Sequence, residues 1–386
     1  MNTKKGERTA FLTMTRAIIP RGDHFVALAV VRSLGKKNIK TAVISETADA
    51  LSFHSRYCSA GIVSGTSMDC YAGFTEDDLI MPTEESSMIE VSKNRKKYAC
   101  ACAFPEYPVL AFAFDKKKVL DRAGELGIPC PETWYIESAE AWERESGHLP
   151  LPAVIKPVRS LGGVGISFVD SPHGFRKLFD ESVKNFGPVV IQEKIPYDER
   201  YSVAILMDYS QSMRRCCVLK AIRSYPVETG PASFVETVDR PDLVKMADQL
   251  LQSIRYHGVA EVEFVMDKRD KTPKLMEINP RFWGSLQGAI SAGVDFPALL
   301  YELFQDGSVE KKPEYNLGVK TRSIFPYEYR RLKTILRGNY SLDFKLQSLT
   351  GFLKFYQDDA YFIASLDDVQ PFLSMITRSV RRRIHF

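Results

Sequence analysis

The chain has 386 residues, 45% hydrophobic and 11% aromatic, enough to bury a sizeable core and to build two or three domains. Its 52 Lys and Arg against 48 Asp and Glu leave a net charge of +4, too small on so large a surface to argue for nucleic acid as a partner. The first twenty residues lack an apolar segment followed by a cleavage site, and no stretch reaches the roughly 18 to 20 apolar residues of a spanning helix, so a soluble, cytoplasmic protein is expected.

In chain order, TAFLTM, FVALAVVRSLGKKN, KTAVISE and AGIVSG alternate strand-like and helical patterns, a βαβ rhythm that predicts a parallel sheet. Ile19-Pro20-Arg21-Gly22-Asp23 marks the first strand-to-helix turn, without the GxGxxG of a dinucleotide site. From Asp115, DKKKVLDRAGELGIPCPETW reads as an amphipathic helix stopped by Gly127 and by Pro129 and Pro131, leading into an extended segment. PAVIKPVRSLGGVGISFV reads as two strands around a glycine-rich turn, followed by a helix and the strand GPVVIQEKI. Residues 259 to 267 and 274 to 279 read as a hairpin across the turn DKRDKTP; after Ala298 the pattern turns helical. The seven cysteines are scattered, and neither Cys100-x-Cys102 nor the Cys216 and Cys217 pair has the spacing of a zinc site, which leaves reduced structural thiols.

Three groups of residues carry chemistry. Lys156 precedes Ser160-Leu161-Gly162-Gly163-Val164-Gly165, where small residues would let a backbone close over phosphate oxygens while the lysine supplies charge, although an ordinary glycine-rich hairpin would read the same. Gln192-Glu193-Lys194-Ile195-Pro196 ends a strand whose exposed C=O and N–H groups could pair with an adenine edge; Glu193 would accept from the exocyclic amine, and Glu199, six residues on, would reach ribose hydroxyls. Glu263 and, on the next strand, Glu277 and Asn279 fall on one face of a hairpin, an oxygen-rich set suited to Mg²⁺ or Mn²⁺, with Arg281 beside it to neutralise a transferred phosphoryl group. The alternative is a surface hairpin with a polar patch.

Together with Asp115-Lys116 before GIPCPETW and Ser55-Arg56-Tyr57, these elements resemble the ATP-grasp superfamily, in its D-aspartate ligase-like, carbamoyl-phosphate-synthase-like carboxylate–amine ligase branch. The resemblance spans roughly residues 10 to 305. It implies a mixed α/β and α+β fold: an N-terminal parallel α/β (pre-ATP-grasp) domain over 1–112, a two-lobed ATP-grasp domain over 113–305 clamping ATP, and a C-terminal extension over 306–386. It also implies that Lys116 and Lys156 contact nucleotide phosphates, that Glu193 is the hinge and Glu199 the ribose glutamate, and that Glu263, Glu277 and Asn279 are the metal residues. Arg223-Ser224-Tyr225-Pro226 and Thr229-Gly230-Pro231-Ala232-Ser233 are similar to the branch's R-x-x-P and GG-x-S patterns, except that Pro231 replaces a glycine and so removes a backbone donor. Arg223 and Ser233 are substrate candidates on this ground.

The implied reaction is phosphorylation of a small-molecule carboxylate by ATP, then attack of an amine on the acyl phosphate with release of ADP and phosphate. Other outcomes are a carboxylase, a carbamoyl-phosphate-forming enzyme or a kinase, and, from a different class, an inactive nucleotide-binding regulatory protein. A homo-oligomer stays open. The tail, with Arg378 and Arg381-Arg382-Arg383, reads either as a solvated helix end or as a contact for an anionic partner.

Overall fold

The computed structural model describes residues 16–64, 68–136, 138–158, 165–227 and 230–384. TAFLTM and the glycine-rich turn from Ser160 to Val164 lie outside these residues.

The first unit is a five-stranded parallel sheet of β1 (Arg16–Ile19), β2 (Lys40–Ser45), β3 (Ala60–Val63), β4 (Asp78–Ile80) and β5 (Ala101–Cys102), in the order β3-β2-β1-β4-β5. Its central strand is apolar on both faces, with Ala17, Ile18 and Ile19 buried, as a parallel sheet covered on both sides requires. Helix α1 (Phe25–Lys36) is buried from Val26 to Leu34. A helix apolar all round needs cover on every side. One side of α1 packs on this sheet; the other joins the core of the last unit, through residues such as Ala204, Leu219 and Trp283. Helices α2 (Glu85–Lys93), α3 (Tyr107–Ala113) and α4 (Lys116–Glu125) lead to the second unit. Asp115 caps α4 by accepting from the Lys118 N–H at 3.2 Å, and Gly127, at φ +69°, ends it.

The second unit is a four-stranded antiparallel sheet, β6 (Thr133–Ile136), β7 (Ala153–Pro157), β8 (Ser167–Val169) and β9 (Val189–Glu193), in the order β6-β9-β7-β8. Helices α5 (Ala139–Glu145) and α6 (Phe175–Phe186) cover one face, with Trp142, Phe175 and Phe179 packed on Ile136, Ile155 and Ile191.

The third unit is built on a seven-stranded sheet: β10 (Tyr197–Met207), β11 (Met213–Ser224), β12 (Ala232–Thr237), β13 (Gly258–Asp267), β14 (Pro273–Asn279), β15 (Lys320–Arg322) and β16 (Ala360–Tyr361), ordered β14-β13-β10-β11-β12-β15-β16. Helix α7 (Pro241–Ser253) and α4 cover one face; α8 (Leu286–Ser291), α9 (Phe296–Asp306) and α1 cover part of the other. Residues beyond 306 add β15 and β16 to this sheet and three helices, α10 (Tyr329–Arg337), α11 (Leu342–Leu353) and α12 (Gln370–Ile384). They also return to the first unit. Asp368, 3% exposed, accepts from Arg32 Nε at 2.8 Å, Ser55 Oγ at 2.7 Å and the Arg56 N–H at 2.9 Å, while Tyr57 donates to Asp367 at 3.1 Å. The Ser55-Arg56-Tyr57 motif therefore anchors the end of the chain to the first unit. All seven cysteines are free thiols, and no described helix is long and apolar enough to cross a membrane.

Candidate active site

The β13–β14 hairpin sets the geometry. Glu261 pairs with Asn279 and Glu263 with Glu277; the next pair is Phe264 with Leu275, so Met276 is an extra residue, a bulge beside the polar cluster. Side chains alternate along β13, so Glu261 and Glu263 share one face while Val262 and Phe264 enter the core on the other. On that polar face a single nitrogen, Asn279 Nδ2, donates to Glu261 at 3.1 Å, Glu263 at 3.2 Å and Glu277 at 3.5 Å. Asn279 Oδ1 accepts from Arg281 Nη2 at 3.2 Å, and Arg281 Nη1 donates to the Phe282 carbonyl at 3.0 Å.

Three carboxylates so close together cannot all keep ordinary proton affinities. Burial, then the charge of Glu263, pushes the Glu261 carboxyl up; burial, then Glu277, does the same to Glu263. At Glu277 burial acts upward too, but the nearby charges of Lys116 and then Lys156 outweigh it and hold the carboxyl low. Lys116 Nζ, at the start of α4, lies 3.3 Å from Glu277. Lys156 comes from β7 in the other antiparallel sheet and donates to Gln192 at 2.7 Å. Burial lowers Lys156 to about 8, with Glu277 opposing and Lys116 assisting. The four-stranded sheet thus sets Lys156 against the carboxylates of the seven-stranded sheet, while Lys116 reaches them from α4.

The first unit closes one side. The loops after β1 and β4 leave the sheet where its strand order reverses, the crevice at which open α/β sheets hold ligands. Thr83 Oγ1 donates to the Pro20 carbonyl at 2.8 Å, and the Phe282 N–H donates to Pro82 at 2.7 Å, which docks the Arg281 segment on these loops. Glu85, at the start of α2, feels the charges of Arg281, Lys116 and Glu277; burial is the largest influence on it and raises its carboxyl.

Lys116, Lys156, Glu263, Glu277, Asn279 and Arg281 come together as the sequence suggested. Ser160, Gly162 and Gly163 lie outside the described residues; Gly165, at the margin of that turn, has φ +78°, and a Cβ there would meet Pro157 and Phe186 at 2.8 and 2.9 Å.

The hinge differs from the expectation. The N–H groups of Glu193 and Lys194 are already bonded, to the Glu132 and Pro152 carbonyls at 3.0 and 2.9 Å. The Glu193 carboxylate accepts from the Glu132 N–H at 3.0 Å and pairs with Arg269 at 2.8 Å, so it braces the strand instead of offering an acceptor to adenine. Ile195 follows, buried.

Glu199 is not at the cluster. By strand alternation it shares the face of Tyr201, where it accepts from the Tyr201 hydroxyl at 2.8 Å and pairs with Lys220. The substrate candidates are not free either. Arg223 Nε lies 2.7 Å from Glu328, and Ser233 donates to the same carboxylate at 2.6 Å. Of the basic tail, Arg378 pairs with Asp49 at 3.2 Å, and the side chains of Arg381, Arg382 and Arg383 lie outside the described residues.

Two residues of the site were missed. Glu261 shares the strand parity of Glu263, and that alternation alone would have found it. Arg200, on the Glu263 side of β10, donates to the Gly230 carbonyl at 2.9 Å and to Ser224 at 3.0 Å, holding both residues near the cluster; nothing in the sequence marks that contact.

Among the described residues, no group of three or more His, Cys, Asp or Glu side chains is already arranged as a metal cage. The donor chemistry nevertheless fits a hard divalent cation: three carboxylates converge on one partly positive nitrogen, and burial, then the neighbouring carboxylate, raises two of them.

Residues 185–325 match the family described as "ATP-grasp in the biosynthetic pathway with Ter operon". The biotin carboxylase–β,γ-ATP complex from Campylobacter jejuni superposes with a TM-score of 0.66 at 16% identity, over 80% of this chain and 74% of that one. An ADP complex of N5-carboxyaminoimidazole ribonucleotide synthetase gives 0.69 at 13% identity, over 90% and 98%. The human mitochondrial propionyl-CoA carboxylase alpha chain is 22% identical over 286 residues, 68% of this chain and 39% of that one. The chain spans less than two thirds of the length of each of the first curated relatives it matches. This chain carries an ATP-grasp domain, and its fold is that of the ATP-grasp superfamily.

Proposed function

We propose that the protein is a cytoplasmic ATP-dependent carboxylate–amine ligase, forming an amide through an acyl phosphate with release of ADP and phosphate. The observation that carries this reading is the run of charge from Lys156 and Lys116 through Glu277 and Asn279 to Arg281, which places cations on both sides of an oxygen-rich cluster. A carboxylate is a poor electrophile because its leaving group would be oxide. Phosphorylation removes that obstacle, and the protein's part is alignment and charge neutralisation.

In this reading Lys116 and Lys156 hold the nucleotide phosphates, while the Glu193 carbonyl and the Ile195 N–H read the adenine edge. Arg281 neutralises the phosphoryl group in transfer, with the acceptor bound in the crevice beside it. Glu263, Glu277 and, after rotation of its amide, Asn279 would hold Mg²⁺ or Mn²⁺. The cation would supply charge neutralisation to the nucleotide phosphates.

The likeness to carboxylases favours a second reading, in which bicarbonate is the carboxylate that is phosphorylated. One experiment tests both. Mg·ATP is incubated with amino acids and small diacids, singly and in pairs, and separately with bicarbonate, and ADP, phosphate and coupled products are measured. Equal ADP, phosphate and amide support the ligase. Bicarbonate-dependent turnover without an amine supports the second reading, and phosphoryl retained on a stable product identifies a kinase instead.

A further inference from the structure

Charge is unevenly spread along the chain. Residues 329–353, which hold α10 and α11, have five Lys and Arg against one Asp, a net +4 equal to that of the whole chain. In α10, Ile335 is fully buried and Arg331 turns inward over the Phe344 ring at 5.9 Å, whereas Arg330, Lys333 and Arg337 face solvent on one side of the helix.

Helix α11 packs on α10, and its last turn meets the sheet where Arg322 Nη1 donates to the Gly351 and Phe352 carbonyls at 3.1 and 3.3 Å. Gly351 admits the Arg223 guanidinium, whose Nη1 would lie 2.8 Å from a Cβ at that position. On another side of the same helix Leu342, Leu346, Leu349 and Leu353 recur at intervals of four, three and four, so they form one stripe. They are 71%, 51%, 37% and 54% exposed, and Phe355, just beyond, is 51% exposed. Single exposed leucines are ordinary; four in register beside a cationic helix face are not.

A polyanion such as nucleic acid would satisfy the cations but offers nothing to a leucine stripe. An interfacial helix in an anionic bilayer satisfies both: leucines enter the acyl boundary while lysine and arginine reach the headgroups. We propose that α11, flanked by the cationic face of α10, docks this protein on an anionic lipid surface, with the helix lying in the plane of the headgroups. At 12 residues α11 can lie in the interface and cannot span it.

The test is co-sedimentation of the full chain with phosphatidylcholine vesicles and with vesicles of phosphatidylcholine and phosphatidylglycerol. Binding to the mixed vesicles, weakened by salt and absent with phosphatidylcholine alone, is expected. Leu346→Gln/Leu349→Gln and Lys333→Glu/Arg337→Glu should each lower the partition coefficient by about ten-fold or more. Both pairs are exposed, so the thermal melt should not move, and it is measured alongside. Equal binding of wild type and the leucine variant, or equal binding to both vesicle types, overturns the proposal. So does light scattering that shows a dimer dissociated by the leucine substitutions, which would make the stripe a protein interface, or binding to duplex DNA without binding to vesicles.

Discussion

Arg223 and Glu328 are 105 positions apart, yet Arg223 Nε lies 2.7 Å from a Glu328 carboxylate that is 2% exposed. The pair joins the end of β11 to the segment before α10, and Ser233 donates to the same carboxylate. It fixes the segment before α10 against β11 and β12. Removing one partner of a buried pair leaves the other charged and unpaired, at about 3 to 5 kcal/mol. Glu328→Ala should cost that much in chemical denaturation and Ser233→Ala about 1 kcal/mol. Equal small losses would show that Arg223 finds solvent instead.

Glu277→Ala should abolish Mg-dependent ADP formation while the melting temperature holds within a few degrees. Glu277 is the carboxylate that both lysines stabilise, and it is half-buried at a bulge, outside the apolar core. Undiminished ADP formation would remove it from the nucleotide site.

Lys156 gives a pH dependence with a defined sign. Its folded value is about 8, below that of a free lysine, so it is charged below that pH and neutral above it. Nucleotide affinity should fall as pH rises through about 8, and Lys156→Arg, charged throughout, should flatten the profile. Without nucleotide the unfolded chain holds this proton more tightly, so Lys156 contributes a rise in stability from about 8 up to the ordinary lysine range. An affinity profile unchanged in the arginine variant would exclude Lys156 from phosphate contact.

Asp78 acts at the acid end of the profile. It is fully buried on β4, and although burial alone would raise it, two 2.8 Å hydrogen bonds from Arg16 and one from the Thr75 N–H keep its carboxyl below the usual range. Its stabilisation is present above the ordinary aspartate value and is lost as pH falls through the depressed folded value. Asp78→Asn should therefore flatten the acid limb of the stability profile; an unchanged acid midpoint would assign acid unfolding to other carboxylates.

Because the Glu193 carboxylate is bound to Arg269 and the Glu132 N–H, Glu193→Ala should weaken ATP and GTP alike, through a loosened strand end. Selective loss of ATP, measured by competition binding, would restore the carboxylate as an acceptor for adenine.

What the sequence made legible depended on the range of the signal. Strand alternation is local, so Glu263, Glu277 and Asn279 could be placed on one face from spacing alone, and Asp115 and Gly127 bounded α4 by their capping chemistry. Glu199 shares the strand parity of Tyr201, so alternation places it on the face opposite to Arg200 and Glu263. Arg223 and Ser233 looked available because Glu328, their partner, comes from a stretch with little periodicity. The partners of the Glu193 carboxylate, 61 and 76 residues away, lay beyond local reading for the same reason.

The tie between Arg32 and Asp368 bears on synthesis. Arg32 sits within a helix that the first unit must bury, and its guanidinium is satisfied by Asp368 and the Ile363 carbonyl, more than 330 residues later. As the chain leaves the ribosome, the first sheet can assemble early, but α1 would bury an uncompensated cation until the last segment emerges. Completion of the amino-terminal core is thereby coupled to the emergence of residues 363 to 368, and a nascent chain stalled before them would expose α1 to chaperones.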